Sequence, residues 1–133
     1  MVAHTSPSVV AGRYRVERLL GEGRRKRVYL AHDERLGRRI ALAMLNTEGL
    51  DAEQLALLRA EARALARLSD HPNVVTLRDL GVEDEQLYLV TEYLAGGDLR
   101  DRLAAEEGRP LPVGVVLELA RQLASALDHA HAH

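Results

Sequence analysis

The sequence predicts an α+β fold: a five-stranded antiparallel sheet with one long helix packed across it, followed by two more helices. Three observations carry this expectation. Runs of bulky apolar residues alternating with charged ones fill Tyr14 to Leu45 and again Val74 to Tyr93, the pattern of half-buried strands. Between them, from Asp51 to Leu68, apolar residues recur every three or four positions, the spacing of an amphipathic helix. After Gly96-Gly97-Asp98 that helical spacing returns.

Taken in order, residues 1–11 carry Ser6, Pro7 and Ser8 without periodicity and are expected to be a flexible leader. Tyr14 to Leu20 reads as the first strand, with Tyr14 and Val16 set against Arg15 and Glu17. A glycine turn follows, Arg27 to His32 is its return strand, and Asp33 to Gly37 is a polar turn into a third strand, Arg39 to Leu45. In the long helix Leu55, Leu58, Ala62, Leu65 and Leu68 form the apolar stripe, with Asp51 or Thr47 as N-cap. Strands four and five, Val74 to Gly81 and Gln86 to Tyr93, flank the acidic turn Glu83-Asp84-Glu85. Asp98 is placed to cap a short helix, Leu99 to Glu107, because its carboxylate can accept from the first unpaired N–H groups. A last helix aligns Val113, Val116, Leu117, Ala120, Ala124 and Leu127 on one stripe.

Composition narrows the function. With 133 residues the chain suits one domain or a large part of one, and 18 basic against 20 acidic residues, net −2, give no general attraction to nucleic acid or anionic membrane. There is no cysteine, hence no disulfide framework or thiolate metal site. No signal peptide or long apolar run is recognisable, and a cytoplasmic location is the default expectation. Phe and Trp are absent, so the core must be aliphatic around Tyr14, Tyr29, Tyr88 and Tyr93. Lys26 is the sole lysine. His129, His131 and His133 are read as a solvated helix end rather than metal ligands.

The stretch with most chemical content is Gly21-Glu22-Gly23-Arg24-Arg25-Lys26-Arg27-Val28. Glycines at that spacing let a backbone turn sharply and bring its N–H groups near an anion, and the basic tip adds positive charge. A lone Gly-x-Gly is most often a simple hairpin turn. Its setting, a strand, glycine turn, two strands, helix, two strands and a glycine break, resembles the amino-terminal lobe of a protein kinase, most like bacterial serine/threonine kinases. The resemblance runs from about Arg13 to His133. Gly21-x-Gly23-x-x-Lys26-x-Val28 is similar to the glycine-rich loop and Ile40-Ala41-Leu42-Ala43 to the strand that normally ends in lysine. Glu61 resembles that lysine's helix partner, His71-Pro72-Asn73 the helix-to-strand loop, and Thr91-Glu92-Tyr93-Leu94 the gatekeeper and hinge.

What the resemblance implies is an ATP-binding site, with Mg, that uses Leu20, Val28, Ala41 and Leu94 at the adenine. It further implies Glu92 and Leu94 as hinge backbone partners, Thr91 as gatekeeper, Asp98 beside the ribose, and Gly21, Gly23, Lys26 and Glu61 toward the phosphates. On this division residues 12–94 form the kinase-like lobe, and residues 95–133 the hinge exit and first two helices of a truncated second lobe. The departures are equally specific. Ala43 stands where the family's phosphate-pairing lysine belongs, and Lys26 stands at the third-glycine position. This resembles the with-no-lysine kinases, whose lysine comes from the glycine-rich loop; by strand alternation Lys26 shares a face with Val28 and, across the sheet, with Ala43. The alternatives are that Lys26 is one more charge in a basic turn, and that Glu61 is a surface residue of its helix. Tyr93 either faces a nucleotide or packs at the sheet edge. The chain holds no His-Arg-Asp and no Asp-Phe-Gly, so no catalytic residue is assigned and the chain is expected to be inactive alone. Two functions remain: an ATP-binding serine/threonine kinase-like domain truncated before its catalytic loop, or a pseudokinase-type interaction module that binds no nucleotide. In either, the uncovered last helix is expected to take a protein partner or a second copy.

Overall fold

The computed structural model describes residues 8–133. It contains β1 (Val9–Val10), β2 (Tyr14–Glu22), β3 (Lys26–Asp33), β4 (Arg38–Leu45), α1 (Ala52–Leu68), β5 (Leu77–Glu83), β6 (Gln86–Glu92), α2 (Leu99–Ala105) and α3 (Val113–Ala132). The strands form one antiparallel sheet in the order β1-β2-β3-β4-β6-β5. The α+β architecture is thus as read from the sequence, with one strand more. That sixth strand lies in the segment expected to be a leader: Val9 pairs with Arg15 and Val10 with Tyr14, and Val10 is fully buried. The rest of the expected leader, residues 1–7, lies outside the described residues.

The chain divides into two compact units. One comprises the chain up to Ala66 together with Thr76–Tyr93; the other comprises Arg67–Val75 and Leu94–His133. In the first, strand alternation gives the sheet two unlike faces. Tyr29, Ala31, Ile40, Leu42, Met44, Tyr88 and Val90 share one face and, with Val10 and Tyr14, make the buried core. Fully burying one such side chain is worth roughly 1.5–3 kcal/mol, so this face supplies most of the sheet's hydrophobic stabilisation. Aromatic geometry fixes one corner: the Tyr14 and Tyr88 rings meet edge-on at 6.2 Å, and the Tyr14 hydroxyl donates to Asp79 Oδ2 at 2.6 Å. Burial and that hydrogen bond push the Tyr14 phenol upward. Opposite Tyr88 stands Gly81, and a Cβ there would collide with the phenol ring.

At the β2 end the one buried charged residue among those described, Asp33, receives a two-pronged bond from Arg13: Nε to Oδ1 at 2.8 Å and Nη2 to Oδ2 at 2.9 Å. The amides of Arg35 and Leu36 also donate to Asp33 Oδ1, so one carboxylate pins both the strand start and the β3–β4 turn. The Arg13 hydrogen bond first, and the two amides with it, hold the Asp33 carboxyl at about 2, below its ordinary 3.8.

Helix α1 is capped as one of the two expectations had it: Asp51 Oδ1 accepts from the Gln54 amide at 2.8 Å, and Gln54 Oε1 accepts from the Asp51 amide at 3.0 Å. Thr47 instead donates its hydroxyl to the Glu85 carbonyl at 2.9 Å. The β5–β6 turn places Asp84 and Glu85 at φ 48° and 66°, the left-handed pair a two-residue hairpin demands, with no glycine to relieve it.

In the second unit α2 begins with a reciprocal capping box, Asp98 Oδ1 accepting from the Asp101 amide at 2.8 Å and Asp101 Oδ2 from the Asp98 amide at 3.1 Å. The expected α3 stripe is present and uncovered within this unit: Val113, Val116, Leu117 and Leu127 are 74%, 48%, 65% and 48% exposed, and Leu123, beside the stripe, is 63% exposed. The less exposed positions are Val115, Gln122, Ser125, Ala126, His129 and Ala130, a different face of the helix. One of the three histidines, His129, corrects the sequence reading. His129 Nε2 pairs with Asp70 Oδ1 at 3.0 Å, and its ring lies 4.9 Å from that of His71 and 4.6 Å from that of His133. The His71 Nδ1 accepts from the Asn73 amide, and its Nε2 meets Ser125 Oγ at 3.1 Å. His129 is thus held against Asp70 and His71 rather than standing in solvent, while His131 and His133 are exposed as expected.

Two expectations for stability follow. Gly81→Ala destabilises by about 2 kcal/mol through overpacking against Tyr88, and combining it with Tyr88→Leu recovers part of the loss; urea midpoints that are unchanged in Gly81→Ala contradict this packing. Because the folded Asp33 value lies below the unfolded one, its contribution is complete above 3.8 and is lost as pH falls through about 2. Asp33→Asn is therefore less stable than the unmodified chain at neutral pH, and the gap closes across that acid range; a gap that does not vary with pH contradicts the assignment.

Candidate nucleotide site

The second face of the sheet is the one that gathers the sequence-predicted residues. Register runs straight across three strands: Val28 opposite Ala43 and Ala43 opposite Leu89, then Leu30 opposite Ala41 and Ala41 opposite Thr91. Lys26 stands opposite Leu45, and Leu45 opposite Leu87. Directly paired residues in an antiparallel sheet point to one side, so Lys26, Val28, Ala41, Ala43 and Thr91 share a face. Val28, Ala41, Ala43 and Thr91 are only half-buried there, whereas their neighbours on the core face are dry. Lys26 is exposed, one step along the strand from the Val28–Ala43 pair.

Two bulges in β2 set the glycines. The β2–β3 register skips Glu17 and Leu20, and each extra residue changes the side to which the following side chains point. As a result Gly21 falls opposite Val28, on the site face, while Leu20 is the unpaired bulge residue, 37% exposed. The hairpin closes with the Gly23 amide donating to the Lys26 carbonyl at 2.7 Å. Neither Gly21 nor Gly23 is among the residues with positive φ, which corrects the expectation that they are needed for a sharp turn. What they provide is space: a Cβ at Gly21 would meet nothing within 4 Å.

Beyond the strands, a cavity of about 220 Å³ is lined by Leu45, Leu50, Leu57 and Leu58 together with Arg25 and Glu61. Glu61 is exposed on α1, yet it shares this cavity with Leu45, the residue paired with Lys26. Arg25, which in the sequence is only one charge of the basic tip, is fixed to the β4–α1 connection. Its Nη1 donates to the Glu48 carbonyl at 3.2 Å and reaches the Asn46 carbonyl at 3.5 Å, and its own carbonyl accepts from the Asn46 amide at 2.7 Å. The acceptors are backbone oxygens, which leave no trace in a sequence.

The remaining candidates lie apart from that face. Glu92 falls opposite Ile40 and so on the core side, its Oε1 accepting from the Thr76 amide at 3.0 Å and its own amide donating to the Thr76 carbonyl. Its carbonyl accepts a 3.3 Å bond from the Thr91 hydroxyl. Tyr93, next along, is half-buried. Leu94 and Asp98 belong to the second unit. There Leu94 is 58% exposed, and the Asp98 carboxylate, held below its ordinary range chiefly by the Asp101 amide, is occupied by the α2 cap. Among the described residues no cluster of three or more histidines and carboxylates is arranged to hold a metal ion.

A glycine hairpin over a half-open sheet face, with a glutamate on the adjacent helix, is the architecture of a kinase amino-terminal lobe. The chain belongs to the protein kinase family: residues 14–133 match the protein kinase domain. It is 38% identical to the serine/threonine-protein kinase PrkC of Bacillus subtilis over 92% of its length and 18% of the relative's. It is 39% identical to the DNA damage-responsive serine/threonine-protein kinase RqkA of Deinococcus radiodurans over 97% of its length and 19% of the relative's. The PknI kinase domain of Mycobacterium tuberculosis superposes with a TM-score of 0.80 at 32% identity, covering 96% of this chain and 51% of that one. The chain thus spans about half of that kinase domain and about a fifth of the two longer kinases.

Proposed function

We propose that this chain is the nucleotide-binding lobe of a bacterial-type serine/threonine protein kinase in which Lys26 supplies the phosphate-directed cation that Ala43 cannot. The supporting observation is the register: Lys26 lies on the face of Val28, Ala41, Ala43 and Thr91, opposite the Leu45 that lines a cavity with Glu61. Members of this family use ATP with Mg. Here Val28 and Ala41 would take the apolar base and Lys26 the phosphates. A lysine ammonium is a point charge on a flexible stem, so a different backbone origin can serve the same anion. Ala43 presents only a methyl group, too small to obstruct it. Glu61, Gly21 and Gly23 complete the phosphate end; Leu20, Glu92, Leu94 and Asp98 are assigned to the base and ribose by family likeness.

Phosphoryl transfer also needs a base at the acceptor hydroxyl and groups that hold metal across the phosphates. The sequence given holds neither a His-Arg-Asp nor an Asp-Phe-Gly, so these residues alone bind nucleotide without transferring phosphate. No helix among the described residues is long and apolar enough to cross a membrane; a cytoplasmic location is part of this proposal.

A second reading, a docking module of pseudokinase type, is favoured by the exposed α3 stripe and by Ala43 itself. Large uncovered apolar patches mark association surfaces. On this reading light scattering finds species above monomer mass at high concentration, and Leu117→Glu with Leu123→Glu returns the chain to monomer; a monomer throughout contradicts it.

The nucleotide reading is tested by titrating Mg-ATP against three versions of the chain, followed by thermal shift. The unmodified chain binds, Lys26→Ala lowers affinity at least about tenfold, the scale of one lost charge-assisted hydrogen bond, and Ala43→Lys in that background restores it. Binding that survives Lys26→Ala removes Lys26 from the site. An unmodified chain that binds nothing supports the docking module.

A further inference from the structure

We propose that Arg25 is the positioning residue of the glycine hairpin, a strap that fixes Lys26 on its face and ties the hairpin to the start of α1; this rests on the nucleotide reading above. Loops that fold over phosphates normally carry small residues at the tip, and glycine hairpins gain mobility from them. Here the tip is Arg24-Arg25, and its two arginines behave differently. Arg25 is bonded through both main chain and side chain to the β4–α1 connection, to Asn46 by two contacts and to Glu48 by one. No side-chain hydrogen bond or ion pair of Arg24 occurs among the described residues, and it is exposed.

The segment that Arg25 grips is itself knitted. The Glu48 amide donates to Asn46 Oδ1 at 3.0 Å, the Leu50 amide to the Thr47 carbonyl at 3.1 Å, and the Thr47 hydroxyl to Glu85 on the β5–β6 turn. One residue on, Asp51 and Gln54 close the cap of α1. The connection therefore joins the tips of both hairpins to the helix that carries Glu61, and Arg25 is its attachment to the glycine hairpin. Guanidinium suits this place because its several N–H groups spread over two carbonyls at once, which a lysine ammonium on a flexible stem does less firmly. Arg25 also forms part of the wall of the cavity that Leu45 and Glu61 line. Because Lys26 is the next residue, the strap sets the origin of its side chain. Arg25 thus acts on a bound phosphate through Lys26 and not by contact.

Amide hydrogen exchange on the unliganded chain tests the strap directly. Arg25→Ala raises exchange at the Gly23, Asn46 and Glu48 amides roughly tenfold, the effect of losing about one charge-assisted hydrogen bond; Arg25→Lys recovers part of the protection, and Arg24→Ala leaves those amides at wild-type rates. In the Mg-ATP titration Arg25→Ala weakens binding about five- to tenfold by the same reasoning, with Arg25→Lys between. Exchange that is unchanged in Arg25→Ala overturns the proposal, and so does faster exchange with undiminished Mg-ATP affinity. If the unmodified chain binds no Mg-ATP, the nucleotide reading fails on its own account, and the exchange rates alone then decide whether Arg25 holds the hairpin.

Discussion

Period-two alternation along β3, β4 and β6 is the constraint on which the rest of this structure depends. A strand sends successive side chains to opposite sides, so placing Tyr29, Leu42 and Val90 in a dry core obliges Val28, Ala43 and Thr91 to stand on the other side. The core face is self-sufficient: it is closed by Tyr14, Tyr88 and the short β1 at Val10. The second face is half-open at Val28, Ala41, Ala43 and Thr91, while Leu30, Leu45 and Leu87 on the same face are buried. A slip of one residue anywhere in β3 or β4 would exchange the two sets, so stability and site geometry are specified by the same register.

A core without Phe or Trp relies on tyrosines, and tyrosines bring hydroxyls that need partners. Tyr14 uses Asp79, and Arg13 beside it serves both Asp33 and the face of the Tyr14 ring, 5.1 Å from its centroid. Glu83 receives the Ala11 amide at 2.8 Å, fastening the β1–β2 turn to β5. The sheet edges are thus tied by a few polar bonds where an aromatic core would have used packing alone. No buried side-chain polar atom among the described residues lacks a partner.

Much of this was legible in the residues. Alternation placed every long strand to within a few positions, the three- to four-residue spacing placed α1 and α3, and Lys26 was correctly set on the face of Val28 and Ala43. What escaped was whatever depends on partners distant in the chain. Val9-Val10 is too short to show a period, and becomes a strand only because Tyr14–Arg15 offers an edge. The β2 bulges show only as two breaks in the alternation, the charged pair Glu17-Arg18 and the apolar pair Leu19-Leu20, which do not by themselves say which residue is left unpaired. His129 belongs to a solvated helical pattern in the sequence, and only its meeting with Asp70 and His71 sets it apart from His131 and His133. Arg25 read as a bare charge because its acceptors are carbonyls of residues 46 and 48.

A further property follows from the exposure of Lys26 at the first residue of β3. Since no other lysine exists in the sequence, the α-amino group apart, the hairpin holds the chain's one primary amine on a side chain. Chemistry directed at amines, whether acylation, reductive alkylation or attachment of a dye, addresses the hairpin and no other folded part. A single covalent handle therefore sits on the face that also carries Val28, Ala43 and Thr91, and a reporter fixed there senses whatever enters beside them.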